Sequence, residues 1–243
     1  MKKFLKGLVI TVFVFAAIGA AVFLAVHETE PQGKTGPEAD QMAEHMLAAL
    51  NDSAWNATRY VSWTFKGANN YLWDKEQNVV QVISSNTRVV LDANTITGKA
   101  YQDEVLLTGE AADNAVQNAW KSFCNDGFWV YAPSKVFDAG TVRSIVTLKD
   151  GTEALKVTYM EGGVTPGDSY VWILDENYRP KAWKLWVKII PIGGVAFTWD
   201  NWVQQSSGAW LATTHHSQLL DLEITDLKTG QSLEDLGIAQ NPF

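Results

Sequence analysis

A chain of 243 residues with 27 acids against 19 bases, and a formal charge of −8, has an acidic surface that repels phosphate backbones and excludes a general nucleic-acid binder. Its one cysteine, Cys124, excludes an intrachain disulfide and reads as a small buried apolar residue. Eleven tryptophans stand out: each brings a large apolar area and an N–H that needs an acceptor once buried.

Lys2, Lys3 and Lys6 precede Leu8–Val26, a run of 19 residues without a charge. At about 1.5 Å per helical residue the run nearly matches a hydrocarbon layer of roughly 30 Å, and it exceeds the roughly 7–15 residues of a cleavable signal core. The sequence therefore predicts a basic cytoplasmic region at 1–7 and a transmembrane anchor at 8–26, with Glu28 and Glu30 outside. Cleavage near Gly19-Ala20-Ala21, releasing a secreted domain, is the alternative. Residues 27–37, with Pro31, Gly33, Gly36 and Pro37, read as a linker. Residues 38–243 read as a single extracytoplasmic domain, with a charge of about −11 once the three lysines are set aside.

The domain opens on an amphipathic helix. Ala39, Met42, Ala43, Met46, Leu47 and Leu50 recur at helical spacing, opposite Glu38, Gln41, Glu44 and His45. From Tyr60 the period changes to two. Short strands are expected at Val61–Phe65, Asn70–Trp73, Val79–Ser84, Arg88–Leu91 and Lys99–Leu107. A second amphipathic helix is expected from Glu110 to Cys124, stopped by Asn125-Asp-Gly127. Strands resume at Phe128–Ala132, Thr141–Leu148, Ala154–Met160, Ser169–Leu174, Pro180–Ile190, Val195–Val203 and Ala209–Ile224. Lys149-Asp-Gly151 marks a hairpin. With no helix between successive strands, a doubly wound parallel sheet is excluded. The expected class is mainly β (α+β): a large curved antiparallel sheet or unclosed barrel, with two amphipathic helices on its concave side and an N-terminal transmembrane helix.

No constellation spells out a reaction. Gly33-Lys34-Thr35 lacks the earlier glycine and the preceding strand of a phosphate-binding loop, and Gly167-Asp-Ser169 lacks the last glycine of a nucleophile elbow. Asn51-Asp-Ser53 and Asn56-Ala-Thr58 match a glycosylation acceptor pattern, relevant only in a eukaryotic secretory setting. No metal site and no cofactor are expected. His215-His216 is the paired-histidine signal. Neighbours on a strand face opposite ways, so the two do not easily share a metal. His216 has the parity of Trp210, Leu220, Leu222 and Ile224, which would turn it inward, as a structural residue, a polar contact to a ligand, or a base.

The strand aromatics are the positive feature. Trp63, Phe65, Trp73, Trp129, Trp172, Trp183, Trp199 and Trp210 form either an ordinary core or the wall of an apolar cavity. Met42, Met46 and Leu50 would line the helical lid over it, since methionine adapts to varied apolar shapes. His216 completes the candidate ligand-binding set.

The segment Asn125-Asp126-Gly-Phe-Trp129-Val-Tyr-Ala-Pro133-Ser-Lys135-Val-Phe-Asp138-Ala-Gly140 resembles one in LolA-like proteins of Bacteroidetes-type bacteria. Trp63-Thr-Phe65, Tyr71-Leu-Trp73-Asp74 and Thr198-Trp199-Asp-Asn-Trp202 followed by Gly208 fit the same LolA/LolB-like envelope superfamily. The resemblance covers about residues 39–227. It implies an unclosed β-barrel with helices over a hydrophobic cavity that takes lipid or lipoprotein acyl chains. It also implies a periplasmic domain on the bacterial inner membrane, single-pass with the N-terminus in the cytoplasm, and an envelope lipoprotein as a possible partner. An uncleaved anchor forbids a soluble shuttle, so the bare ligand cavity is what carries over. Two other classes remain open: a structural or sensing envelope domain without a ligand, and a hydrolase or isomerase using His216.

Overall fold

The computed structural model describes residues 26–218 and 220–243. The basic region and all of the expected anchor except Val26 lie outside the described residues. Among those described, no helix is long and apolar enough to cross a membrane.

Two helices come first, α1 (Pro37–Ala49) and the short α2 (Asp52–Ala57). A meander of six strands follows: β1 (Tyr60–Phe65), β2 (Asn69–Asp74), β3 (Val79–Ser84), β4 (Thr87–Asp92), β5 (Thr97–Gln102) and β6 (Val105–Leu106). The long helix α3 (Glu110–Tyr131) and a 3-10 turn (Ala132–Lys135) interrupt it. A second meander resumes with β7 (Thr141–Thr147), β8 (Glu153–Tyr159), β9 (Asp168–Leu174), β10 (Pro180–Trp186) and β11 (Val195–Thr198), then β12 (Asp200–Gln204), β13 (Trp210–His216) and β14 (Asp221–Gly230).

All pairings are antiparallel, and they build two sheets. One holds nine strands in the order β12-β13-β14-β1-β2-β3-β4-β5-β6; the other holds five, β11-β10-β9-β8-β7. The last strand closes on the first, with Tyr60 opposite Gly230 and Phe65 opposite Ile224. Strands β6 and β7 do not pair with each other, so the wall stays unclosed. The sheets meet where one stretch of chain changes partners. Val195–Thr198 pairs with β10, and after Trp199 the chain pairs with β13. Such a corner is how two sheets share a core.

Alternation sets which face goes inward. In β3 and β4, Val80 and Val82 pair with Leu91 and Val89, all four buried. The next strand needs glycine opposite: a Cβ on Gly98 would sit 2.2 Å from the Val90 carbonyl oxygen. Helix α3 lies against β4 and β5 at one side and β13 at the other. Its buried residues, Val116, Ala119, Phe123, Gly127, Val130 and Tyr131, follow one helical face from 116 to the carboxyl end. Helix α1 buries Ala39, Ala43 and Met46 and lies against β7 and β8. These residues and the inner faces of both sheets form one continuous core.

The fold is therefore mainly β with an unclosed antiparallel wall and two amphipathic helices, as expected, but the single sheet is corrected to two joined at Trp199. Besides the expected strand Val195–Val203, which breaks at Trp199 into β11 and β12, four elements differ from the sequence-based expectation. Phe128–Ala132 is not a strand; α3 runs through Asn125-Asp126-Gly127 to Tyr131. Gly127 is no helix stop here, because the Tyr131 ring lies where its Cβ would be, 2.6 Å from the hydroxyl oxygen. Lys99–Leu107 is a hairpin, turned by Asp103 and Glu104 at positive φ of 51° and 62°. Ala209–Ile224 is two strands with a turn between them. The expected linker at 27–37 is mostly docked: Lys34 bridges the edge strand β7 at Ile145, and Lys184 and Lys156 bond Glu28 and Pro31.

Trp199 is 1% exposed at the point where the two sheets part. Trp199→Ala is expected to lower stability by about 3–5 kcal/mol, the usual result of emptying a buried aromatic site. Urea denaturation followed by circular dichroism measures it, with Trp210→Ala, at a half-buried position, as the milder comparison.

Candidate functional site

Helix α3 divides the interior into two aromatic groups. On one side Trp63 stacks on Tyr71 at 4.7 Å between ring centroids, and Phe123 and Tyr131 from α3 close against them and against Trp73. Trp55 from α2 stacks on Tyr131 at 5.7 Å. On the other side Trp172, Trp183 and Trp199 pack mutually, with centroids 4.8–5.1 Å apart. Phe128 and Trp129 from α3 cover this second group, Trp129 meeting Trp183 at 5.0 Å and Phe197 at 4.8 Å.

The sequence-predicted site residues do not fall in one place. Trp63 and Trp73 join the first group, and Trp129, Trp172, Trp183 and Trp199 the second. Met46 and Leu50 are buried and Met42 is half-buried, so the expected stripe of α1 does face the core. Phe65 is buried at the end of β1. Trp210 stands apart, half-buried under the Arg179 guanidinium at 4.5 Å. It lines a small cleft with Leu50, Trp55, Tyr131 and Trp202. The free space there is about 10 Å³, room for a single water at most.

His216 is corrected. It is exposed, and its Nδ1 lies 3.0 Å from an Asp221 carboxylate oxygen, itself exposed. That ion pair holds the imidazole above its ordinary range, but it is on the surface and not in a cleft. The inward residue is His215, fully buried. Leu222 and Ile224 lie on β14, beyond a turn through which facing does not carry, and Trp210, on β13 with the parity of His216, is itself only half-buried.

Four indole nitrogens in these groups, those of Trp63, Trp172, Trp183 and Trp199, are buried without an acceptor among the described residues, as is the Tyr159 hydroxyl. An unpartnered buried donor costs about 1–3 kcal/mol, and buried indole N–H groups are ordinarily bonded. By contrast Trp73 and Trp186 donate to Asn78 and to the Glu28 carbonyl. The other buried donor without a partner among the described residues is Arg59 Nε, which belongs to the Arg59–Asp74 ion pair and not to the aromatic groups.

His215 ties the two sides together. Its Nε2 lies 2.9 Å from the Trp129 carbonyl oxygen and its Nδ1 3.0 Å from that of Thr198. In a regular helix the Trp129 carbonyl would accept the N–H of residue 133, but that residue is Pro133, which has none. The imidazole therefore stands in for the missing helical bond and fastens the last turn of α3 to the sheet corner. A neutral ring has one N–H for two carbonyls. Burial disfavours the imidazolium and outweighs the two carbonyls, which favour it, so the ring titrates at about 4.

Two further polar groups belong to α3. The Asp126 carboxylate accepts the Tyr71 hydroxyl at 2.5 Å and the Asn69 amide at 2.8 Å. Burial raises its pKa, although both bonds pull it down. This triad pins the carboxyl-terminal half of α3 to β2; the Asn125-Asp126 pair was visible in sequence, its partners were not. Burial pushes the Cys124 thiol up to about 11, which leaves it unreactive near neutral pH. No group of His, Cys, Asp and Glu that could hold a metal occurs among the described residues.

No known family's sequence profile matches the chain, and no curated protein sequence matches it. Among solved structures it is similar to a DUF1329 family protein from Desulfovibrio piger, at 9% identity over 79% of this chain and 92% of that one, with a TM-score of 0.39. A likeness of that degree carries no argument about function.

The buried neutral His215 makes a pH prediction with a definite sign. Its pKa is lowered on folding, from 6.5 to about 4, so the unfolded chain binds a proton in that window that the folded chain refuses. Its contribution is complete above pH 6.5 and is lost as pH falls towards 4, by up to about 3 kcal/mol. His215→Gln keeps an N–H for the Trp129 carbonyl and removes the titration. Urea midpoints at pH 7 and pH 4.5 should fall further for the wild type than for the variant; equal falls would show that the imidazole is not held neutral.

Proposed function

We propose that the domain is a membrane-tethered envelope protein that takes an apolar molecule bearing a carbonyl or ester oxygen, such as a lipid acyl chain, between α3 and the tryptophan-lined inner face. The observation that supports this reading is the set of unpartnered indole N–H groups of Trp63, Trp172, Trp183 and Trp199. A permanently dry core would carry their cost with no return, whereas a ligand oxygen among them would relieve it. A chain of about ten buried methylenes adds roughly 8 kcal/mol of gross affinity before ordering costs. The resemblance to LolA/LolB-like segments, Asn125–Gly140 above all, points the same way and makes an envelope lipoprotein a candidate source of the acyl chain.

The ligand would enter by displacing α3. Phe128 and Trp129 occupy the space against Trp183, and the amino-terminal half of α3 fully buries only Val116 and Ala119, with Trp120 half-buried beside them. Gly109 at the start of the helix, at a φ of 59°, has nothing packed where a side chain would go. The expected anchor at Leu8–Val26 would keep the domain at the periplasmic face of the inner membrane.

A second reading has its own observation. Trp63, Trp172, Trp183 and Trp199 are each no more than 1% exposed, which also suits a domain whose hollow is permanently filled and which docks an envelope partner.

Native mass spectrometry of the full-length chain in mild detergent separates the two. A lipid-sized mass adduct is expected on the wild type, reduced in Trp172→Phe and Trp183→Phe, which keep an aromatic ring and delete one N–H each. A wild-type spectrum with the bare chain mass alone would sink the ligand reading and leave the filled domain.

A further inference from the structure

The residues that enter the domain are fixed to it at once. The Gly193 N–H donates to Nδ1 of His27 at 3.0 Å, and the Glu28 N–H donates back to the Gly193 carbonyl at 2.9 Å. The Trp186 indole donates to the Glu28 carbonyl at 2.8 Å, and Lys184 Nζ lies 2.8 Å from the Glu28 carboxylate. Farther along, Lys156 Nζ bonds the Pro31 carbonyl at 3.0 Å and the Glu30 carboxylate at 2.8 Å, and Lys34 bridges Ile145. Residues 27–34 thus form a strap from the β10–β11 loop across to β7, on the face opposite the core residues Trp183 and Leu185. Glycines make room for it. A Cβ on Gly193 would lie 2.5 Å from the Trp186 ring and 2.7 Å from the Glu28 carbonyl oxygen, and one on Gly194 would lie 2.6 Å from the Glu28 Cβ.

The apolar run ends at Val26 and the first fixed residue is His27, so no slack separates them. One residue spans at most about 3.5 Å. Whatever holds the run therefore lies beside the β10–β11 loop. That loop, Val187-Lys-Ile-Ile-Pro-Ile-Gly-Gly194, exposes Ile189 by 68%, and Val26, the residue before His27, is 49% exposed. The neighbouring β8–β9 loop, joined to it by the Lys188 N–H on the Asp168 carboxylate at 2.9 Å, exposes Met160 by 56%. Its acid, Glu161, is turned against Gly140. In a chain of 27 acids, residues 177–199 contain none and hold Arg179, Lys181, Lys184 and Lys188.

We propose that this end of the domain, the β10–β11 loop with Ile189 at its tip and Met160 beside it, rests in the headgroup–acyl boundary of the membrane that carries the anchor. The proposal rests on the reading of Leu8–Val26 as an anchor. Lipid is the occupant these residues suit: isoleucine and methionine reach the acyl boundary, and Lys188, whose ammonium bonds the Pro166 carbonyl, adds positive charge at the same end of the sheet. Docked this way, the domain is held in one orientation, with the opposite end of β10 pointing away from the bilayer.

The test uses the full-length chain in a Cys124→Ala background, reconstituted in phosphatidylethanolamine–phosphatidylglycerol vesicles containing nitroxide-labelled lipid. Single cysteines carrying a fluorophore are placed by Ile189→Cys, by Glu176→Cys at the far end of β10, roughly 23 Å away along seven residues of strand, and by Ala20→Cys in the apolar run. Lipid quenching is expected at 20 and 189 and not at 176. Quenching at 20 alone overturns the docking and keeps the anchor. Quenching at none of them overturns both. A probe at 189 that is shielded from water but unquenched by lipid indicates a protein contact and also overturns the proposal. Gly193→Val, which unseats the strap, is expected to weaken quenching at 189 and leave that at 20 unchanged; if that variant misfolds, the comparison of 189 with 176 still decides.

Discussion

The interior of this protein is governed by the chemistry of the buried indole. A tryptophan contributes more apolar area than any other side chain, but brings one donor that the interior must accommodate. Here three indoles pack on one another between two sheets, a fourth lies across α3, and none of the four finds an acceptor among the described residues. Their mutual contacts give the core its thickness, and their unbonded N–H groups give it a polarity that an aliphatic core would lack. A wall of valine and leucine would enclose the same volume and would favour only hydrocarbon.

Helix α3 is the element on which the two aromatic groups both depend. Phe123 and Tyr131 serve one side, Phe128 and Trp129 the other. The helix is fastened to the wall at two polar points, Asp126 to Tyr71 and the Trp129 carbonyl to His215. Proline at 133 creates the need for the second of these by removing the donor that the helix would have supplied itself. Both fastenings lie in its carboxyl-terminal half. The amino-terminal half leans on β4 and β5 with Val116 and Ala119 buried and Trp120 half-buried, and carries no such polar fastening among the described residues.

The outer surface is organised by a different rule. An acidic protein concentrates bases on the strands around β10, and part of that charge is met by Glu28 and Glu30 of the entering chain. The entering residues thereby become part of the domain, and any membrane-held segment before them is placed relative to the sheet. Interior and exterior are linked through β10 itself. Trp183 and Leu185 face the core, while Lys184 and Trp186, one residue on, hold the strap.

By itself the sequence determined the mainly antiparallel β class, the two amphipathic helices, the tryptophan-rich interior and the inward face of α1, because a period of two or of three to four is a local property of side-chain direction. It read Trp63, Trp172, Trp183 and Trp199 correctly as inner-face residues for the same reason. What only the tertiary structure decided were the features that depend on partners distant in the chain. Gly127 permits the helix to continue because the Tyr131 ring takes its place, and Trp199 divides one strand between two sheets because β10 and β13 both compete for it. His215 is buried rather than His216 because the carbonyl left open by Pro133, 82 positions earlier in the sequence, lies on its side of the strand. The 27–37 segment looked like a linker from its prolines and glycines. It is a strap because Trp186 and the lysines of β8 and β10 supply bonds that no local pattern contains.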